Sequence, residues 1–296
     1  MKIGRVFGID LILSKFLIVL FIVYFFLDIH HLAVIVFGVV LVHEISHVIA
    51  ALYLGMVVET IKLFPFGGVV GIRGNEAYSV KKEILVSLPG PAVNFILAVL
   101  VWAVQGLGIG NKEYLSFILK TTVLMGFFNL LPILPLDGGR MFRAFLARYT
   151  GYFSATRVTA LIGQLIAVGL FIWGIHELWF NQINFHWLLI AAYLFYIAGK
   201  EKKFAFLHFI CHLSYKKKEI RTACILPAVI LAAERNLSII QVIHRLIPDR
   251  YLIVYVIDEQ GKYLGSVTEV AIIDAVFSGN INMTLKEVLN YMQMKD

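Results

Sequence analysis

Residues 32–54 read LAVIVFGVVLVHEISHVIAALYL, an apolar run whose only charged residue is Glu44. A helix of about 20 apolar residues is long enough to cross the hydrocarbon core of a membrane. His43 and His47 are four residues apart, so on a helix they lie about 40° apart around the axis and about 6 Å along it. Both imidazoles can therefore reach one metal ion, and Glu44 can take a proton from a water that the ion acidifies. The run predicts a metal site inside a membrane-spanning helix; the alternative is a pair of core histidines that form an ion pair with Glu44.

The composition indicates a membrane protein. Hydrophobic residues make up 60% of the 296 residues and charged residues 15%, whereas soluble domains carry about 25% charged residues. Lipid cannot hydrogen-bond to the backbone, so the long apolar runs are predicted to be helices. We predict six spans, at residues 10–28, 32–54, 84–107, 114–135, 157–177 and 184–199. We expect the first span to be retained, because no small-residue cleavage site of a signal peptide follows it.

The charge distribution predicts the orientation of these spans. The net charge is +7, and with six spans both termini and most of the lysines and arginines fall on one side. This bias predicts an integral cell membrane protein with both termini in the cytoplasm. The basic runs Lys200–Lys203 and Lys216–Lys218 are expected to lie on the membrane surface and not to bind nucleic acid.

Hydropathy falls after Gly199, which predicts three parts: a transmembrane domain at 1–199, a basic linker helix at 200–220 and a small cytosolic unit at 221–296. The unit has the pattern of an α+β fold. We predict a helix at 229–247, strands at 251–257 and 263–267, and a second helix from residue 269. About 75 residues form only a marginal core on their own, so we expect the unit to pair with that of a second chain. The predicted fold class is therefore a polytopic α-helical membrane protein with a small cytosolic α+β domain.

A catalytic zinc site takes three protein ligands and keeps one position for water, so a third ligand is needed. Asp137 follows Pro132 and Pro135 and precedes two glycines. The prolines predict a break in the helix, and the glycines allow another element to approach closely. A broken helix at membrane depth must be buried in protein or line a cavity. This favours Asp137 as the third ligand; the alternative is an ordinary helix cap before Arg140.

Two other segments interrupt the helical pattern. Residues 64–71 read FPFGGVVG, which predicts a short hairpin or extended loop at the membrane face, or else an ordinary connecting turn. The third span contains Gly90-Pro91-Ala92-Val93-Asn94, a break with one polar side chain at lipid depth. We expect Asn94 to pack against the metal helix or to bind backbone.

Four motifs, in their order and spacing, resemble the site-2 protease family of intramembrane zinc metalloproteases. They cover residues 40–145 and are His43–His47, the Phe64–Gly68 loop, Gly90-Pro91, and the Asn129–Gly139 segment.

The resemblance implies a role for each matching residue. The two histidines and the aspartate would bind one Zn²⁺ per chain and the glutamate would be the general base: His43, His47, Asp137 and Glu44. Substrate would be held as an extended strand beside Asn129 and Pro135 and would pair with the loop at Phe66.

The segment Tyr263-Leu264-Gly265-Ser266-Val267-Thr268 is similar to part of a CBS (cystathionine-β-synthase) domain. Such domains often bind adenine nucleotides, but Ala271 stands where the pattern usually has the aspartate that holds the ribose, which weakens that prediction. Six spans followed by one CBS-like unit resemble the sporulation proteases of the family. That resemblance implies a sigma-factor precursor as substrate, inhibitory membrane proteins as partners, and the mother-cell membrane around the forespore as location.

The sequence thus predicts an intramembrane zinc metalloendopeptidase that cuts a membrane-associated substrate near the cytoplasmic leaflet. A CBS-regulated transporter is the first alternative, but a transporter has no need of Glu44 between the histidines. An inactive scaffold is the second, but such a protein is expected to lack a ligand or the base, and none is missing here.

Overall fold

The computed structural model describes residues 2–6, 8–26, 28, 30–64, 67–72, 80–180, 185–222, 227–243, 245–247, 250–278, 280 and 282–293. Its strands and helices are, in chain order, β1 (Lys2–Val6), β2 (Ile9–Leu13), α1 (Lys15–Phe26), α2 (His30–Tyr53), β3 (Val58–Phe64), β4 (Gly67–Ile72), α3 (Val80–Ser87), α4 (Pro89–Gly106), α5 (Lys112–Leu130), α6 (Asp137–Thr150), α7 (Tyr152–Phe180), α8 (Phe185–Thr222), β5 (Ala228–Glu234), α9 (Ile239–Ile243), β6 (Tyr251–Ile257), β7 (Tyr263–Thr268), α10 (Glu269–Phe277) and α11 (Leu285–Gln293).

Helix α2 carries polar residues on its buried side and apolar residues on its exposed side. The buried residues recur every three to four positions, as one face of a helix must: Val39, Val40, His43, Glu44, His47, Val48 and Ala51. The exposed side includes Val42, Ile45 and Ile49. A helix with charged groups inside and apolar groups outside is suited to lipid and not to water.

Among the described residues, three helices are long and apolar enough to cross a membrane: His30–Tyr53, Val80–Gly106 and Tyr152–Trp179. They match the second, third and fifth predicted spans. The fourth and sixth predicted spans fall in α5 and α8, and the count of six stays a prediction.

The first predicted span is wrong at its start. Residues 10–13 belong to strand β2, and α1 begins only at Lys15 and has 12 residues. Strand β2 pairs in parallel with β3, with Leu11 opposite Ile61. The partner is some 50 residues away along the chain, so the local hydrophobic pattern gives no sign of this pairing.

The N-terminal sheet has the order β1-β2-β3-β4. Strands β3 and β4 form an antiparallel hairpin, with Phe64 opposite Gly67, so the hairpin predicted in this segment is confirmed. Phe66 lies outside the described residues. Strand β4 is at the edge of the sheet, since β3 is its only neighbour among the described strands.

The predicted break at Pro132 to Pro135 is present, whereas Gly90 and Pro91 lie in the first turn of α4 and the interruption falls before them, at Leu88. Helix α3 ends at Ser87 and α4 begins at Pro89. Helix α5 ends at Leu130 and α6 begins at Asp137. Side chains at Gly138 and Gly139 would overlap backbone atoms of residues 130–134. These glycines therefore let the first turn of α6 pack directly against the segment that precedes it.

The C-terminal unit contains a three-stranded sheet of order β5-β6-β7. The predicted helix at 229–247 is wrong over its first part, because residues 228–234 form β5; the described helix in this range is Ile239–Ile243. Burial along β5 alternates residue by residue, which is the period of a strand. The predicted strands at 251–257 and 263–267 and the helix from Glu269 are confirmed.

The predicted linker at 200–220 is helical but is not a separate element. It continues the sixth predicted span as one helix, α8, of 38 residues. Near the end of α8, Lys217 forms an ion pair with Asp274 and lies 5.9 Å from the ring centre of Phe277, both on α10. The C-terminal unit is thus joined to α8 by side-chain contacts as well as by the chain.

Candidate metal centre

Helix α2 places the two histidines one turn apart on its buried face. His43 and His47 are 2% and 5% exposed, and their Nε2 atoms are 3.2 Å apart. Two imidazole nitrogens this close point towards a common position.

Asp137 completes a triangle with these two atoms. Its Oδ2 is 3.1 Å from Nε2 of His43 and 3.2 Å from Nε2 of His47. Yet this buried oxygen has no hydrogen bond of acceptable geometry within the described part of the chain. The carboxylate oxygen is therefore close to both ring nitrogens without a hydrogen bond to either.

This triangle fits a zinc ion. Bonds of about 2.0–2.1 Å in a tetrahedral zinc site place neighbouring ligand atoms about 3.3 Å apart. The observed separations of 3.1–3.2 Å agree with that spacing. Two imidazoles and one carboxylate are also a ligand set of the catalytic kind, which leaves a fourth position for water.

The break between α3 and α4 supplies two contacts to this centre. The Nδ1 atom of His47 is 2.6 Å from the carbonyl oxygen of Val86, the second-last residue of α3. A carbonyl oxygen can only accept, so Nδ1 must carry the proton and the lone pair of Nε2 is available to a metal. In the first turn of α4, a side chain on Gly90 would overlap ring atoms of both histidines. Glycine at this position lets α4 lie directly against the two rings.

Glu44 is held next to the triangle by the β3–β4 hairpin. Its Oε1 accepts a hydrogen bond of 2.6 Å from the backbone N–H of Gly68 in β4. A side chain on Gly68 would overlap the Glu44 carboxyl group. The histidines contact Asp137 and the glutamate contacts Gly68, so the arrangement is not the simple histidine–glutamate ion pair that the sequence left open.

A buried ion pair behind the centre joins α3 to α6. Arg143 donates to Glu83 Oε1, and its guanidinium lies 5.0 Å from the ring centre of Tyr152. Burial alone would lower the pKa of Arg143, but the charge of Glu83 raises it above the ordinary value. Helix α3 provides the carbonyl that holds His47, and α6 begins with Asp137. The pair therefore fixes the two helices that carry these groups.

The residues predicted to hold substrate are less defined. Asn129 is half-buried and donates from its amide to the carbonyl oxygen of Met125, one turn earlier in α5. Pro135 is exposed in the segment before α6. Their roles, and that of Phe66, stay predictions.

Sequence reasoning missed several groups that surround the centre: Gly68, Glu83, Val86 and Arg143. Val86 acts through its backbone, so no side chain could have indicated it. Glu83 and Arg143 were visible only as charges near the ends of apolar runs. For Asn94, the predicted contact with the metal helix is confirmed, since its Nδ2 lies 3.1 Å from Nδ1 of His43.

Comparison with known proteins gives consistent matches. The sequence matches peptidase family M50 over residues 31–111 and 105–173. A zinc metalloprotease of Methanocaldococcus jannaschii is 25% identical over 265 residues, which are 88% of this chain and 71% of that protein. Stage IV sporulation protein FB of Bacillus subtilis is 29% identical over 103 residues, 35% of this chain and 36% of that protein.

The solved structure of a site-2 protease from Methanocaldococcus jannaschii has the same fold. It superposes with a TM-score of 0.56 at 26% sequence identity, covering 68% of this chain and 94% of that chain. The family match contains both histidines, the glutamate and the aspartate of the centre.

Proposed function

Because the chain belongs to peptidase family M50 and is a zinc metalloprotease of the site-2 type, we propose that it hydrolyses a peptide bond in a membrane-associated protein near the cytoplasmic leaflet. The three converging ligand atoms of His43, His47 and Asp137, with Glu44 beside them, support this function most directly. A buried carboxylate and two buried imidazoles at membrane depth are costly unless they serve a site.

His43, His47 and Asp137 would hold the ion. Zinc on these ligands supplies Lewis acidity, which lowers the pKa of water from about 15.7 towards 7 and polarises a carbonyl oxygen. Glu44 accepts the proton of the attacking water. Its Oε1 is held by Gly68, so the proton goes to Oε2 and then to the nitrogen of the leaving peptide.

Strand β4 is the proposed docking edge for substrate. A peptide that adds to a free strand edge is held by backbone hydrogen bonds in an extended form. The amide that holds Glu44 belongs to this strand, so a segment paired with β4 would pass next to the base. A helical substrate must unwind to pair in this way, and we expect helix-breaking residues near the cut. Asn129, Pro135 and Phe66 are proposed to hold the same segment.

The finer assignment is a sporulation protease whose substrate is a sigma-factor precursor. The likeness to stage IV sporulation protein FB supports it over about a third of each chain. This assignment includes six spans with both termini in the cytoplasm, the mother-cell membrane around the forespore as location, and inhibitory membrane proteins as partners.

The C-terminal unit is proposed to be CBS-like and to pair with its copy in a second chain. Its sheet carries exposed apolar side chains, including Ile230, Tyr255 and Tyr263, which suits such pairing. Thr268 accepts a hydrogen bond from the backbone N–H of Ala271. With alanine at that position the unit lacks the carboxylate expected for a ribose, and we do not assign it a nucleotide.

The test is to co-express the chain with a sigma-factor precursor in membranes and compare wild type with Glu44→Gln. The glutamine has the same shape but cannot act as a base at neutral pH. We expect bound zinc to be unchanged and cleavage to fall by at least about 100-fold. Glu113→Gln, at an exposed site at the start of α5, is the matched control and should cleave like wild type. Full cleavage by Glu44→Gln would refute the assigned base, and would reopen the transporter alternative if zinc were also absent.

A further inference from the structure

The two histidines of the centre are oriented by different kinds of group. His47 is fixed by the backbone carbonyl of Val86, which the fold supplies whatever the side chain. His43 has a side chain opposite its Nδ1 atom, the amide of Asn94 in α4. Asn94 is fully buried, so water does not compete for this contact.

The amide of Asn94 can face His43 in two ways. In the structure its nitrogen is 3.1 Å from Nδ1, and its oxygen is buried with no hydrogen-bond partner among the described residues. A donor opposite Nδ1 requires that the ring proton sit on Nε2, and a protonated Nε2 has no lone pair for a metal. A half-turn of the amide brings the oxygen to Nδ1 instead. This rotation breaks no hydrogen bond of the Asn94 oxygen, because that oxygen has no partner among the described residues.

We propose that Asn94 is a positioning residue for the metal: its oxygen accepts the Nδ1 proton of His43 and so keeps the Nε2 lone pair directed at the ion. This inference rests on the proposed function. Metal-bound histidines usually donate their second ring N–H to an oxygen acceptor, which fixes the tautomer and the ring orientation. With the carbonyl of Val86 on His47 and the oxygen of Asn94 on His43, both rings meet that requirement.

The position of Asn94 suits this role. It lies one turn after Gly90 on α4, and Gly90 is the residue that lies against both rings. On its other side, Asn94 is next to Gly126 of α5, where a side chain would contact Cβ of Asn94 and the ring of Phe95. The amide is therefore packed between α2 and α5.

The test compares zinc affinity in two variants of the full-length protein in detergent micelles. Asn94→Leu keeps the approximate size but removes the acceptor, and Asn94→Asp keeps acceptor oxygens and removes the donor. Zn²⁺ affinity is measured by competition with a chromophoric chelator, and Co²⁺ absorption reports the ligand geometry. We expect Asn94→Leu to weaken Zn²⁺ binding about 10–100-fold and Asn94→Asp to stay within about threefold of wild type.

A purely structural role would give a different pattern. Thermal unfolding of the chelator-treated protein would then change, while the affinity of Asn94→Leu would match that of wild type. That match, or an Asn94→Asp variant as weak as Asn94→Leu, overturns the role of Asn94 and leaves the peptidase proposal standing. Asn94→Ala removes the same oxygen with less volume and replaces the leucine if that variant does not fold. A wild-type protein that binds no zinc overturns both proposals.

Discussion

Helix α2 and strand β6 bury opposite kinds of side chain. In α2 the buried residues include His43, Glu44 and His47, whereas Ile45 and Ile49 are exposed. In β6 the buried residues are Leu252, Val254 and Val256. In water, burial of apolar surface contributes about 25 cal/mol per Å². In lipid that gain is absent, because lipid tails are as apolar as leucine.

The two regions therefore bury side chains for different reasons. Buried apolar groups in the C-terminal unit stabilise its fold. The buried polar groups around α2 cost free energy in the membrane, and the proposed metal site accounts for their presence. Substitutions at the metal centre should therefore change metal binding more than folding, and substitutions in the C-terminal core should do the reverse.

The largest effect is expected from Gly90→Ala. The added methyl group would overlap ring atoms of His43 and His47, so one or both rings must turn away from the shared position. We expect zinc affinity to fall by about three orders of magnitude, or about 4 kcal/mol, with loss of cleavage and retention of the folded helices. The zinc content of the purified protein measures the loss of binding, and circular dichroism measures the retention of the helices.

Gly38→Ala is the matched control, since Gly38 is in α2 and a side chain there would meet open space. Its zinc content should equal that of wild type. If Gly90→Ala also kept its zinc, the described approach of α4 to the rings would be wrong.

A smaller effect on zinc binding is expected from Arg143→Met, which acts mainly on stability. Removing one partner of a buried ion pair costs about 3–5 kcal/mol, and Glu83 is left with a longer contact, 3.9 Å from its Oε1 to Nε of Arg140. We expect a loss of stability of this size in detergent-based unfolding. Zinc binding should weaken too, because α3 and α6 carry the Val86 carbonyl and Asp137.

Arg148→Met is the control for this change, because Arg148 is an exposed arginine of the same helix. It should change stability by less than about 0.5 kcal/mol. A loss below about 1 kcal/mol for Arg143→Met would show that the pair does not hold α3 and α6 together.

The helix of the metal centre could be predicted from sequence because its signal is local. The apolar length, the i to i+4 spacing and the prolines before Asp137 are each contained within one short segment. The hairpin and the helix break before Asp137 were predicted for the same reason. The contact of Asp137 with the histidines needed one further step, the expectation that a catalytic zinc site takes a third protein ligand.

The failures involve contacts between distant parts of the chain. The sequence predicts the start of a span where β2 lies, because the partner strand β3 follows only after two helices. It predicts a helix where β5 lies, because the alanines and the single charged residue fit both periods, and pairing with β6 decides between them. Val86 was missed because it acts through a carbonyl, and every residue type has one.

The smallest effect on zinc binding is expected from changes in the C-terminal core. Ile273 is fully buried in α10, and Ile240 is 36% exposed on α9. Ile273→Ala removes buried methyl and methylene groups and leaves a cavity, which costs about 2–5 kcal/mol. Ile240→Ala, as the matched control, should cost less than about 1 kcal/mol. Hydrogen exchange of the β6 amides in the full-length protein measures the loss of stability in both variants, because these amides exchange when the unit unfolds. Zinc content should stay at the wild-type level in both variants, and a loss of zinc in Ile273→Ala would mean that the metal centre depends on the fold of the C-terminal unit.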